Sequence, residues 1–110
     1  MAKFIKGDVV VVPFPFSDLT NAKRRPAFVL AVLPGDDIIL CQITSRDVRD
    51  DLAVKLKAAD FEVGSLLVES NIRPNRLFTA DRHIILYKIG HLYQEKINEV
   101  VDKTIDLIRH

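Results

Sequence analysis

The chain contains one cysteine, Cys41, so an internal disulfide and a cysteine-built structural zinc site are both excluded. Cys41 sits inside the apolar run Ile38–Ile43, where a buried reduced thiol is the expected state rather than a nucleophile. The three histidines, His83, His91 and His110, lack metal-ligand spacing, and no phosphate-binding Walker loop or dinucleotide fingerprint occurs. No metal and no cofactor is therefore expected. No apolar run approaches the length of a membrane span, and the N-terminal segment lacks a signal peptide's apolar stretch. A soluble, cytoplasmic protein with no membrane partner is the expectation. Charge of one sign is missing too: the net charge is +1, so any affinity for nucleic acid must come from a local basic patch.

What is present is ordinary globular composition, 48% hydrophobic and 28% charged, in 110 residues. That length predicts one domain, residues 1–110, with no repeat, low-complexity tract or linker. Lys6-Gly7-Asp8 reads as a turn launching the β-branched strand Val9–Val12. Pro13-Phe14-Pro15-Phe16 ends ordinary pairing, since proline donates no ladder bond, and Ser17–Lys23 reads as a loop. A strand is expected to begin just after Pro26, over Ala27–Val32. Pro34-Gly35-Asp36-Asp37 then turns the chain into a third strand, Ile38–Ile43. Two continuous apolar strands side by side imply the buried centre of a sheet. Further short strands are expected over residues 52–56, 65–68, 77–80 and 83–87, the last with helix as an alternative. Gly90 is read as a break, and the spacing of Tyr93, Ile97, Val100, Val101, Ile105 and Ile108 marks one face of a C-terminal amphipathic helix. The fold class is mainly β with minor α: a small, strongly curved barrel of short, mostly antiparallel strands with a helix laid against it.

The stretch Lys23-Arg24-Arg25-Pro26 stands at the mouth of the second strand. A guanidinium is planar, forked and permanently charged, which suits it to a phosphate. Solvated loop cations, or an ion pair with Asp18, are the plainer reading of these residues by themselves. The hairpin changes the balance: counting outward from its turn brings Thr44 to the edge that carries Arg25 and Pro26. A set of polar groups then collects near strand ends, namely Arg25, Thr44, Ser45, Arg46, Ser70, Arg73 and Arg76. Such groups hold nucleic-acid backbones, and Phe14, Phe16 and Phe78 could stack on unpaired bases or simply close the barrel. Cleavage of RNA needs no external nucleophile, because the 2′-hydroxyl attacks its own phosphodiester. The protein must align that attack and stabilise charge on the phosphoryl oxygens.

Gly7–Asp18, followed by Arg24-Arg25-Pro26-Ala27-Phe28-Val29-Leu30, closely resembles the opening of the MazF/PemK toxins of type II toxin–antitoxin systems. The likeness continues through Cys41–Ser45, Gly64–Ser70, Ile72–Thr79 and Gly90-His91-Leu92. It spans nearly the whole chain, and the order and spacing of the motifs make it specific. The resemblance implies an SH3-like barrel, a homodimer, a small cognate antitoxin, and metal-independent, sequence-specific cleavage of single-stranded RNA with a 2′,3′-cyclic phosphate product. It makes Arg25 the catalytic arginine, stabilising phosphoryl charge and taking part in proton transfer, and Thr44 the catalytic threonine beside the scissile phosphate. Phe14, Phe16, Arg24, Ser45, Arg46, Arg73 and Arg76 become RNA-binding candidates, with residues 14–24 as a flap over the RNA. The alternatives are a non-catalytic barrel binding nucleic acid or protein, and a gyrase-directed toxin of the same fold.

Overall fold

The three innermost strands each carry an apolar run, Val9–Val12, Ala27–Val32 and Ile38–Ile43, in which residues on both faces are buried. In the computed structural model, which describes residues 3–14, 23–48 and 51–110, these are β1 (Asp8–Phe14), β2 (Lys23–Val32) and β3 (Asp37–Thr44). β4 (Val54–Leu56), β5 (Phe61–Gly64), β6 (Ser70–Asp81) and β7 (Tyr87–Leu92) follow, then helix α1 (Gln94–Arg109). All pairs are antiparallel. The strands form one curled seven-stranded sheet, a half-barrel, in the order β4-β6-β3-β2-β1-β7-β5. Alternation along each strand sends successive side chains to opposite faces. Val9, Phe28, Cys41 and Ile43 join Ile72, Leu92 and the helix residues Ile97 and Val100 in one core. Val10, Val12, Ala27, Val29, Ile38 and Leu40 form a second core with Ala80 and Ile85. The mainly β class with one terminal helix is as the sequence implies, although β2 and β6 run to 10 and 12 residues and are not short.

Several element boundaries differ from expectation, each for a physical reason. β1 continues through Pro13 to Phe14, and β2 begins at Lys23 rather than after Pro26, with Pro13 opposite Arg24 and Phe14 opposite Lys23. β1 is paired with β7 only as far as Val11, and β2 with β3 only from Ala27 onward. From Val12 and Arg25 outward the two strands form a ribbon that projects beyond its neighbours; Pro13 lies on it and Pro26 at its base, where β2 has left β3, and such edges tolerate a residue without an N–H. Ser70–Asp81 is one strand. Pro74 fits it through a bulge, since Cys41 faces Leu77 while Gln42 faces Arg73, leaving residues 74–76 without partners on β3. Residues 65–68 form no strand, and the strand lies just before them, in β5. Arg82–Ile84 is a short 3-10 turn and β7 starts later, at Tyr87. Gly90 does not break the chain but sits within β7 opposite Gly64 and Val9. A Cβ there would lie 2.2 Å from the Val63 carbonyl oxygen, so only glycine permits this approach of β5 to β7. On α1 the buried residues are Ile97, Val100 and Thr104, while Ile105 and Ile108 are exposed. The helix buries a narrower stripe than its apolar spacing implies.

Asp8 is the one fully buried carboxylate of the described residues. Its Oδ2 accepts the Ile5 amide at 2.9 Å, and its Oδ1 lies 2.8 Å from His91 Nδ1 and 3.4 Å from Lys88 Nζ. A buried charge is tolerated only when partnered in this way. The arrangement ties the N-terminal segment to β7. No helix of the described residues is long and apolar enough to cross a membrane.

Candidate nucleic-acid interface

The end of the β2–β3 ladder creates the site. The last paired residues are Ala27 and Gln42. Beyond them β2 follows β1, whereas β3 follows β6 with Thr44 opposite Asn71. Carrying the register two residues outward sets Arg25 across from Thr44, on the edge where counting from the hairpin turn places Thr44, with a β2 bulge between Val29 and Ala31 fixing the pairing. With no ladder bond between them, the strands part there and a cleft of about 410 Å³ opens. Phe14, Lys23, Arg25, Gln42, Ile43, Thr44, Arg46, Arg73 and Arg76 line it. Five cations and no carboxylate face this space, so the local basic patch exists despite the near-zero net charge. The β6 bulge supplies two of them, Arg73 and Arg76, from either side of Pro74.

The Thr44 hydroxyl oxygen accepts the Arg46 backbone N–H at 3.1 Å, and the Arg46 carbonyl accepts the Asn71 side-chain amide at 3.1 Å. The oxygen is thereby oriented while its own proton stays available for an acceptor such as a phosphoryl oxygen. Phe14 packs at 5.8 Å between ring centroids, at 47°, on Phe78, which in turn packs against the second core. Phe78 therefore closes the barrel, and Phe14 offers its remaining surface to the cleft. Ser70 is buried and bonds the Val68 carbonyl at 3.1 Å, a structural role.

Arg25, Ile43 and Thr44 also border a second cleft of about 380 Å³. Arg24 and Ser45 line this one, together with Pro26, Leu66, Leu67, Val68, Tyr87 and Ile89. The expected RNA-binding residues thus divide: Phe14, Arg46, Arg73 and Arg76 face the basic cleft, Arg24 and Ser45 the apolar one. Phe16 and the rest of the expected flap between Phe14 and Lys23 lie outside the described residues. Lys23, Gln42 and Tyr87 were not anticipated. Lys23 directly precedes the arginine pair, and Gln42 is the one polar residue inside Ile38–Ile43, so each left a signal in the sequence.

Cys41 is fully buried and its thiol is pushed up to about 12 by that burial, which removes it as a nucleophile. Asp36, Asp81 and His83 come together on the surface, a grouping the histidine spacing did not reveal. Their side chains already have partners: Asp36 holds Arg82 at 3.2 Å, and Asp81 Oδ1 lies 2.6 Å from His83 Nδ1. The backbone N–H of His83, and then its ring, hold the Asp81 carboxyl below its ordinary value.

Against known proteins, the family model described as the PemK-like, MazF-like toxin of type II toxin–antitoxin systems matches residues 5–108. The chain belongs to that family. Its fold is that of the MazF of Deinococcus radiodurans, with a TM-score of 0.77 at 21% identity over 100% of both chains. The MazE–MazF complex of the same organism gives 0.76 at 21% identity, covering 98% of this chain and 97% of that one. An endoribonuclease from a mycobacterial species, solved with its cognate antitoxin, gives 0.73 at 10% identity, covering 99% and 96%. No curated protein matches the sequence.

Proposed function

We propose that this toxin-family protein is an endoribonuclease that cuts single-stranded RNA at short sequences by attack of the 2′-hydroxyl on the adjacent phosphodiester. The observation that carries the reading is the placement of Arg25 and Thr44 on the rim shared by a basic and an apolar cleft. Arg25 sets a forked cation against the phosphoryl oxygens as charge builds on them. The Thr44 hydroxyl, held by the Arg46 amide, donates to the same phosphate and fixes it for in-line attack. Arg46, Arg73 and Arg76 hold neighbouring phosphates, Phe14 offers a stacking face, and Arg24 and Ser45 contact the strand on the other side. The reaction draws on the substrate's own nucleophile and calls for no metal.

The family's antitoxin partnership extends the proposal: a small cognate antitoxin restrains the enzyme by covering the groove. The chain works in the cytoplasm as a homodimer. Exposed apolar side chains at Leu67, Val68, Ile105 and Ile108 support a protein partner or a second copy.

Purified, antitoxin-free protein incubated in excess EDTA with a long mixed-sequence RNA should give discrete cuts at a shared short sequence. The products should carry 2′,3′-cyclic phosphate ends. Intact RNA in the presence of correctly folded protein would reject the reading in favour of a binding barrel or a gyrase-directed toxin.

A further inference from the structure

A third and larger cleft, about 610 Å³, lies outside the proposed cutting site and has no role in it. Lys3, Phe4, Arg82, His83, Tyr87 and Lys88 contribute to its lining. Tyr87 is half exposed and also lines the apolar cleft that holds Arg25 and Thr44. One aromatic side chain therefore forms the boundary between the cutting site and this second space. The two clefts are thus contiguous at Tyr87, the geometry a strand running from one to the other requires.

The charges of this cleft are not uniform, and their arrangement limits what it takes. Lys88 Nζ lies 3.4 Å from Asp8 Oδ1, but the carboxylate is fully buried while the lysine side chain is 43% exposed. An incoming phosphate meets the ammonium, not the carboxylate behind it. The same carboxylate holds the Ile5 amide, which draws the segment bearing Lys3 toward Lys88. Arg82 and His83 differ, since their partners Asp36 and Asp81 are themselves about half exposed and oppose a phosphate there. The attractive part is the portion formed by Lys3, Lys88 and Tyr87, enough for about one nucleotide beyond the apolar cleft.

We propose that Tyr87, Lys88 and Lys3 form an outlying RNA subsite, with a base stacked on Tyr87 and its phosphate held between the two lysines. Aromatic stacking and point-charge phosphate contacts are both tolerant of sequence. The subsite therefore adds affinity for longer strands without adding to the recognition sequence. The inference rests on the ribonuclease reading.

The test takes a cut site mapped in long RNA and compares a minimal oligonucleotide with ones extended by several nucleotides at either end. One extension should lower KM on the order of tenfold, the scale of a single stacked base. Lys3→Gln and Lys88→Gln should each remove part of that gain and reduce by about one the slope of log affinity against log salt. Both should leave cleavage of the minimal oligonucleotide unchanged, and Lys88→Arg should restore the gain. Tyr87→Ala should abolish it with the salt slope intact. Lys3→Gln keeps the test decisive if removal of Lys88 from Asp8 unfolds the protein. Cleavage with no dependence on length, or losses equal for short and long RNA, would overturn the subsite and leave the nuclease standing. Absence of any cleavage would overturn both.

Discussion

The two clefts that meet at Arg25 and Thr44 differ in character. One presents Lys23, Arg46, Arg73 and Arg76 beside Arg25, the other chiefly Pro26, Leu66, Leu67, Val68 and Ile89, with Arg24 as its one further cation. Their origins differ as well. The basic cleft is made by departures from regular pairing: the projecting β1–β2 ribbon and the β6 bulge around Pro74. The apolar cleft is walled by a connection, residues 65–68, that leaves Leu67 fully exposed because no strand pairs over it. Charge holds phosphates and apolar walls hold bases, and cleavage within a defined sequence needs the two side by side. A net charge of +1 is compatible with such a division because it averages over surfaces that the fold keeps separate.

The largest effect should come from a change that breaks both clefts at once. Arg25 borders each of them, so Arg25→Ala should lower kcat by about 10²–10³ with folding intact, the scale of losing one preorganised charge stabiliser. Thr44→Ala should cost less, on the order of tenfold to a hundredfold, and Thr44→Ser should recover most of it because the hydroxyl oxygen still accepts from the Arg46 amide. Single-turnover cleavage of one mapped RNA, with circular dichroism as the folding control, measures all three. Equal activity of Thr44→Ala and the parent would take Thr44 out of the chemistry.

Smaller changes should separate the clefts. Arg73→Gln and Arg76→Gln should each weaken binding of an uncleavable RNA, carrying a 2′-deoxy nucleotide at the cut, and lower the salt slope by about one. Leu66→Ala and Leu67→Ser should weaken binding with no change in salt slope, since they remove apolar contact and no charge. A common salt dependence for both sets would dissolve the distinction drawn between the two surfaces.

How much of this was legible in the sequence depended on whether a feature is local. The continuous apolar runs of β2 and β3 announced a sheet centre because burial on both faces leaves no alternation to read. The hairpin turn at Pro34–Asp37 was enough to bring Thr44 to the edge that carries Arg25, but the bulge between Val29 and Ala31 that sets the two opposite each other was not legible. The family likeness then pointed to roles for them that neighbouring residues by themselves do not specify. What escaped were features decided by long-range pairing. Pro13 and Pro26 look like strand breaks, yet they lie in strands because those strands have outrun one neighbour. Ile105 and Ile108 look like core, yet they are exposed because the sheet covers only part of the helix. Tyr87 could not be placed at two clefts without knowing that β7 runs beside β1.

The smallest expected effect is a null one, and it tests whether the chemistry belongs to the rim residues alone. Cys41 lies on β3 only three residues from Thr44, within reach of any argument for a thiol nucleophile. Burial raises its pKa from 9.0 to about 12. At pH 8 roughly one thiol in ten would ionise in the unfolded chain, against about one in ten thousand in the folded one. Below pH 9 the thiol is thus neutral in the native protein and chemically silent. Iodoacetamide at pH 8 should leave native protein unlabelled and fully active, and should label it promptly once denaturant exposes the strand. Rapid native labelling with loss of cleavage would mean that β3 opens near its end, and the rigid placement of Thr44 opposite Arg25 would have to be abandoned.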